Sequence, residues 1–407
     1  MYSPRKPGPT SDAIAAQTRW QYLVRRGDLV DREQRAYCLD MRMTQSSHPT
    51  LAPGSADGPG TQRYRARVAA NFADDYFRAF GELSASSIGA GTYLGECDDA
   101  DDARYARTIR HALRNGINVV DSAINYRCQR SERAIGTAVR EAIAAGDIER
   151  DELLICTKGG YLPLDGTPPA SRADYKAYVQ REFFDSGIIA TGELVADGHC
   201  IAPDYLDHQI DCSRENLGVR TIDLYYLHNP EQQLDAIAPA EFQHRMRRAF
   251  ETLEQRVSDG DIRSYGCATW QGFRLDSTSR GYLSLVDLVT IAQSVAGEDH
   301  HFSTVQLPIN LGMTEAIRSP TQCLPGGRWV SLLDAAAELG IAVVASATLL
   351  QSKLVNGLPQ PVRDAFPALT TDAARAIAFV RALPGVTTAL VGMKSTDHLD
   401  QNLRAGA

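Results

Sequence analysis

From about Ser84 onward, two patterns alternate along the chain. Short runs of β-branched and apolar residues have the form of strands buried on both faces. Each is followed by a stretch whose apolar positions recur every three or four residues, the form of an amphipathic helix. The strand runs are Ile88–Tyr93, Asn118–Asp121, Leu153–Thr157, Ile222–Leu227, Arg263–Ala268, Thr304–Leu307, Ala342–Ser346 and Thr388–Val391. Among the helices, Asp99–Asn115 opens with acids, as the positive end of a helix dipole favours. It sets Ile109 and Leu113 one turn apart and stops at Gly116. Arg130–Ala145 repeats the design with Ile135, Val139 and Ile143, and stops at Gly146. Glu241–Val257 carries Phe242, Met246 and Phe250, and Gly340 closes Ser331–Leu339. Eight strands, each paired with a helix, predict an α/β fold of the (β/α)8 TIM-barrel kind. An open dinucleotide-binding sheet would need a Gly-x-Gly-x-x-Gly turn between its first strand and helix. Ile88-Gly-Ala-Gly-Thr-Tyr-Leu-Gly95 is the one candidate, and no helix follows it at the right point.

Two segments break the alternation. Residues 1–60 are locally basic (Arg5, Lys6, Arg19, Arg25, Arg26), and Pro, Ser, Gly and Thr crowd Ser46 to Thr61. That composition predicts a weakly ordered extension ending in a flexible linker, with the barrel occupying 61–407. Trp20-Gln-Tyr-Leu-Val24 could form one docking helical turn, and Met41 or Met43 is an alternative start. The second break is an insertion after the third strand, residues 160–203, with Pro168-Pro169, Tyr175, Tyr178 and Phe183-Phe184. A long βα loop in a barrel lies over the mouth and is expected to act as a lid or specificity element. A helix over Asp204–Asn216 follows.

The 407 residues carry a formal net charge of -8. Duplex nucleic acid demands a basic face, so a nucleic-acid partner is not expected. No apolar run reaches the roughly 20 residues that cross a bilayer, and no apolar leader precedes a cleavage site. The eight cysteines are scattered without a Cys-x-x-Cys, the pattern of a reduced, cytoplasmic protein. His199, Cys200, His208 and Cys212 match no zinc spacing, so no metal is expected. The oligomeric state is left open.

Chemistry in such barrels sits at the C-terminal ends of strands. The second strand delivers Asp121 and then Tyr126, the third Lys158, and the fourth His228 followed by Asn229. A barrel hydrolase or isomerase would need paired carboxylates or metal ligands there, and neither set is present.

These strand ends lie in motifs that resemble the aldo-keto reductase superfamily. The motifs are Gly116-Ile-Asn-Val-Val-Asp-Ser-Ala-Ile-Asn-Tyr126, Arg130-Ser-Glu-Arg-Ala-Ile-Gly136, Leu154-Ile-Cys-Thr-Lys158 and Ile222-Asp-Leu-Tyr-Tyr-Leu-His228. Gly260-Asp-Ile-Arg-Ser-Tyr-Gly-Cys-Ala-Thr-Trp270, Val305-Gln-Leu-Pro-Ile-Asn310 and Leu390-Val-Gly-Met-Lys-Ser-Thr-Asp-His-Leu-Asp-Gln-Asn402 follow in the same order. The resemblance implies a catalytic tetrad of Asp121, Tyr126, Lys158 and His228. Tyr126 would be the general acid, with Lys158 lowering its pKa, Asp121 holding Lys158, and His228 orienting the carbonyl oxygen. It implies NADPH as cofactor, with NADH as the second choice. Thr269, Gln306 and Ser346 would lie along the nicotinamide. Leu349, Gln351 and Lys353, within Thr348–Lys353, and Gly392, Lys394, Ser395, His398 and Asn402 would meet the phosphates and adenosine. Two positions depart from the family pattern. Its Ser-Asn pair reads Ala268-Thr269, and its stacking tyrosine reads Ser346. Tyr93, Asn229 and Trp270 are the expected pocket walls. The implied activity is reduction of an aldehyde or ketone, a small-molecule carbonyl, to an alcohol. The alternative is a weakly active or non-catalytic nicotinamide-binding sensor or scaffold of the same fold.

Overall fold

The computed structural model describes residues 51–196 and 198–407. The proposed turn at Trp20 and the alternative starts at Met41 and Met43 lie outside the described residues. Eight parallel strands close a barrel: β1 (Ile88–Gly91), β2 (Val119–Asp121), β3 (Leu154–Gly159), β4 (Ile222–His228), β5 (Ile262–Ala268), β6 (Phe302–Pro308), β7 (Ala342–Ser346) and β8 (Val386–Gly392). Each strand pairs with its sequence neighbours, and β8 closes on β1 through Leu390 beside Gly89. All eight strand runs expected from the sequence are present, with ends shifted by a few residues.

Side chains along a strand alternate in direction, and this period of two places the chemistry. One set faces the barrel axis: Val119 on β2, Leu154 and Cys156 on β3, Leu224 and Tyr226 on β4, Val344 on β7, Leu390 on β8. The other set, including Val120, Ile155, Tyr225, Leu227, Val305 and Val391, packs against the surrounding helices. Two residues beyond Val119, Cys156 and Tyr226 come Asp121, Lys158 and His228. The polar residues therefore continue the apolar interior columns upward. A hairpin, Phe77–Phe80 with Leu83–Ser86, plugs the opposite end through Phe80, Leu83 and Ala85.

The helices follow from local chemistry. Asp98 caps Asp99–Arg114 by accepting from the Asp101 N–H. Arg130–Ala144 buries Ile135, Ala138, Val139 and Ala142 on one face, and Gly146 beyond it takes φ 70. Pro203 opens the helix Pro203–Leu217 at its first turn.

The linker expectation is corrected where the chain is described. Asp57 caps a helix at Gly58–Val68 that begins inside the stretch assigned to the linker. Pro59 sits in its first turn, where a missing N–H costs nothing. The segment ahead of it is tied to the barrel floor. Ala56 N–H donates to Asp223 Oδ1 at 2.6 Å, and Asp223 Oδ2 also takes the Arg150 guanidinium at 2.8 Å. Composition marks Gly and Pro as breakers, yet here they occupy the helix start that tolerates them.

The insertion folds on its own small core. Leu162, Val179, Phe183, Ile189, Cys200 and Tyr205 cluster around a helix at Arg172–Val179. Its ends meet at a bridge between Tyr161 and His199. No helix of the described residues is long and apolar enough to cross a membrane.

Candidate active site

A cavity of about 460 Å³ opens at the C-terminal ends of the strands. Asp121, Tyr126, His228, Asn229, Thr269, Trp270, Gln306, Ser346, Leu349, Gln351, Gly392 and Tyr93 all line it. Lys158 lies behind this wall, fully buried. Its Nζ donates to Asp121 Oδ1 and to the Ser122 carbonyl, both at 2.5 Å. The other Asp121 oxygen accepts from Gln306 Nε2 at 2.8 Å. Burial pushes the Asp121 carboxyl up, and Lys158 and Gln306 oppose that shift.

Tyr126 stands between Lys158 and His228. The Lys158 ammonium is 5.1 Å from its ring centroid, the Tyr93 ring 4.9 Å and the His228 ring 5.7 Å. The expectation that Lys158 makes this phenol more acidic is corrected. Burial, then the Asp121 carboxylate, holds the Tyr126 phenol well above its ordinary range. The reason is local: Lys158 is bonded to Asp121 and Ser122, and the Asp121 carboxylate brings a negative charge that opposes ionisation of the phenol. Tyr126 is therefore fully protonated at neutral pH.

His228 is held below its ordinary range by burial, by Lys158 and by His199. It is a neutral imidazole with one N–H to offer. Its Nδ1 is buried and has no partner. The insertion supports it from behind. His199 Nε2 lies 2.7 Å from the His228 carbonyl oxygen, and His199 Nδ1 lies 2.8 Å from Gln233 Nε2. A neutral His199 protonated on Nε2 satisfies both bonds, and burial pushes its pKa down to about 4. Gly160 is required at this junction. Its φ is 146, and a Cβ there would stand 2.9 Å from the His228 carbonyl and 3.0 Å from the His199 ring. Of the insertion, Tyr161 lines the cavity. Its ring meets His228 edge-on at 4.9 Å, and its hydroxyl accepts from Asn229 Nδ2 at 2.8 Å. Through Tyr161 and His199, the insertion buttresses one wall of the cavity.

The far wall differs. Thr269 and Thr348 line the cavity, and the hydroxyl oxygen of each is buried without a partner. After β7 the chain turns through Leu350, Gln351 and Ser352, all with positive φ (46, 52 and 67). Such a run costs about 1–2 kcal/mol per residue and persists only where surroundings impose it. A second run, Arg127–Gln129, directly follows Tyr126.

Lys353, Lys394, Ser395, His398 and Asn402 stand outside the cavity lining. Lys394 is engaged already, 2.9 Å from the buried Asp101. Burial alone would raise the Asp101 carboxyl. The Glu96 N–H, Lys394 and Arg104 outweigh it and hold the group down at about 2. Ser395 flanks the helix Thr396–Leu403 without capping it, and Asn402 is buried on that helix.

Sequence reasoning missed Tyr161 and Glu231. Glu231 follows β4 and lines the cavity. Its Oε1 accepts from the backbone N–H groups of Trp270, Gln271 and Gly272 at 3.1, 3.2 and 3.3 Å. Its Oε2 is buried without a partner. Burial, opposed by those N–H groups, pushes the carboxyl up to about 7. The one signal in the sequence was position, three residues past His228.

The aldo/keto reductase family matches residues 87–289, which span β1 to β5. Solved structures are similar in fold. An aldo/keto reductase from Klebsiella pneumoniae, in complex with NADP and acetate, is 20% identical with a TM-score of 0.53, covering 82% of this chain and 90% of that one. A glycerol dehydrogenase from Gluconobacter oxydans is 18% identical with a TM-score of 0.56, covering 82% and 91%. The holo form of an aldo-keto reductase from Bacillus halodurans is 18% identical with a TM-score of 0.51, covering 81% and 90%. No curated sequence matches the chain. A closed eight-stranded barrel, with Asp121, Tyr126, Lys158 and His228 gathered at one mouth, agrees with the sequence match, and the chain belongs to the aldo/keto reductase family.

Proposed function

We propose that the protein reduces an aldehyde or ketone to an alcohol, with NADPH as reductant and Tyr126 as proton donor. The observation that carries this reading is the convergence of Tyr126 and His228 on one cavity, backed by the locked Lys158–Asp121 pair. The cavity fits a nicotinamide. Thr269 and Thr348 offer buried hydroxyls without partners, as a polar ligand would require. Thr269, Gln306 and Ser346 would hold the carboxamide end. The loop at Leu349, Gln351 and Lys353 and the turn at Gly392, Lys394 and Ser395 would meet the phosphates, with His398 and Asn402 toward the adenosine. Lys394 would have to share its charge with Asp101 to favour NADPH over NADH. When bound, the cofactor supplies the hydride.

The chain's own residues handle the proton. The neutral His228 donates one N–H to the carbonyl oxygen and fixes its direction. Tyr126, fully protonated beforehand, releases its proton to that oxygen. The negative charge left on the phenol appears near the Lys158 ammonium, which lies 5.1 Å from the ring centroid and would attract it, with Asp121 opposing. Tyr93, Tyr161 and Trp270 supply aromatic walls suited to a partly apolar carbonyl compound. NADPH oxidation with reactive aldehydes or quinones, comparing wild type and Tyr126→Phe, tests the assignment. A loss of about 10²–10⁴-fold is expected, and equal rates refute it.

The raised Tyr126 phenol and the absence of an aromatic ring at Ser346 favour a second reading, a nicotinamide-binding sensor or scaffold. Tight NADPH binding without turnover on a carbonyl panel would establish it.

A further inference from the structure

Cys97 and Cys128 approach each other at the rim of the mouth, with their sulfurs 3.6 Å apart. Cys97 lies in the loop between β1 and the helix Asp99–Arg114, and Cys128 lies in the left-handed turn after Tyr126. Both thiols are free. Arg127 already joins the two loops. Its Nε donates to the Glu96 carbonyl at 2.8 Å and its Nη2 to the Asp98 carbonyl at 3.3 Å, on either side of Cys97. A disulfide needs sulfurs about 2.05 Å apart. The remaining approach is thus about 1.5 Å between segments that are already pinned together.

We propose that Cys97 and Cys128 form a peroxide-sensitive thiol pair, whose disulfide adjusts the walls of the reductase cavity. The half-exposed Cys97 is the sulfur a peroxide can reach. Its sulfur attacks one peroxide oxygen and the O–O bond breaks. A sulfenic acid forms on Cys97, and the other oxygen leaves as water or, from an organic hydroperoxide, as an alcohol. The buried Cys128 then attacks the sulfenic sulfur. The S–O bond breaks, the S–S bond forms, and the hydroxyl leaves as water with the Cys128 proton. Two electrons pass from the thiols to the peroxide in all, and a dithiol returns them. Burial, then the neighbouring Cys97, pushes the Cys128 thiol up, so Cys128 reacts only with a sulfenic sulfur held beside it, within the 3.6 Å approach of the pair.

The coupling to the cavity is short. Tyr93 and Leu94, on the Cys97 loop, line it, and Tyr126 lies two residues before Cys128. The Tyr93 and Tyr126 rings pack at 4.9 Å, so drawing the two loops together moves both. A displacement near 1 Å in an active site can cost up to about 10²-fold in rate.

The test treats the full chain with hydrogen peroxide, blocks remaining thiols, maps the peptides by mass spectrometry, and measures NADPH-dependent turnover before and after. The expected result is a peptide pair joined through Cys97 and Cys128, and a change in turnover of roughly tenfold. Dithiothreitol should reverse both, and C97S and C128S should abolish the peroxide response. Both thiols remaining alkylatable, Cys97 over-oxidised without a link, or Cys97 joined to another cysteine would each overturn the pair. A Cys97–Cys128 link that leaves turnover unchanged would overturn its coupling to the cavity. The turnover arm rests on the reductase reading. Mapping does not, so a protein inactive before oxidation would count against that reading and not against the thiol pair. Mapping on wild type also decides the matter if either variant fails to fold.

Discussion

At the ends of β2 and β3, polar groups answer one another, whereas the His228 Nδ1 at the end of β4 and the hydroxyls beyond β5 and β7 wait. Lys158 holds two oxygens and Asp121 holds two donors. His199, beneath His228, uses both ring nitrogens. Across the cavity, the Thr269 and Thr348 hydroxyls are buried without partners, and the loop after β7 runs through four residues of positive φ, Ala347 and Leu350 to Ser352. The family match spans the first region and ends at 289, ahead of β6. The difference separates two physical jobs. On the proposed function, the side that would handle the proton is largely organised before any ligand arrives, which would leave little reorganisation for the reaction itself. The side proposed to hold the cofactor has desolvated polar atoms whose cost a ligand would recover by supplying the missing bonds.

Removing Lys158 should break the organised side most severely. Lys158→Met leaves Asp121 as a buried acid without its cation, which costs about 3–5 kcal/mol. The urea midpoint should fall accordingly, and carbonyl reduction should be lost with it. Adding Asp121→Leu should restore most of the stability and none of the activity. A single variant as stable as wild type would show that the pair is not what organises this wall.

Glu231 joins the two sides, because it follows β4 and accepts from the loop after β5. Its carboxyl sits at about 7, above the ordinary 4.5. The folded protein thus binds this proton more tightly than the unfolded chain. The resulting stabilisation is complete below about pH 4.5 and is lost as the pH rises through about 7. Between pH 5 and 8, wild type should lose roughly 2–3 kcal/mol from this one group. Glu231→Gln carries no such proton, so its stability relative to wild type should improve steadily across that window. Denaturation curves for the two proteins that stay parallel from pH 5 to 8 would remove Glu231 as the joint.

The same contrast explains what could be read from the sequence. Barrel strands show as uninterrupted apolar runs because both faces are buried, and Asp121, Lys158 and His228 stand out as charged or polar exceptions at their ends. The helix at Gly58–Val68 was hidden, since helix starts and flexible linkers share Pro, Gly and Asp. Glu231 was hidden for another reason. Its role depends on three backbone N–H groups some forty residues away, and backbone donors leave no mark in residue identity. The pairing of Lys394 with Asp101 spans 293 positions and has no local trace either. Burial and the Asp121 carboxylate hold the Tyr126 phenol up against the lowering expected from Lys158, whose ammonium is bonded to a carboxylate and a carbonyl.

Thr269→Val probes the waiting side with the smallest change, a hydroxyl exchanged for a methyl of similar volume. In most buried positions that exchange breaks a hydrogen bond and destabilises. Here the Thr269 oxygen is buried and has no partner to lose. Removing it should leave stability unchanged or raise it by up to about 1 kcal/mol. NADPH affinity should move the other way, weakening by about 1 kcal/mol, roughly fivefold in Kd, as the hydroxyl's bond to the ligand disappears. Gln306→Leu is the control. Gln306 lines the same cavity but already donates to Asp121, so its loss should cost stability as well as binding. Thermal melts with and without NADPH, together with a titration followed through Trp270 fluorescence, separate the two effects. If Thr269→Val lowers stability as Gln306→Leu does, the hydroxyl has a partner within the protein, and the two walls of the mouth are organised alike.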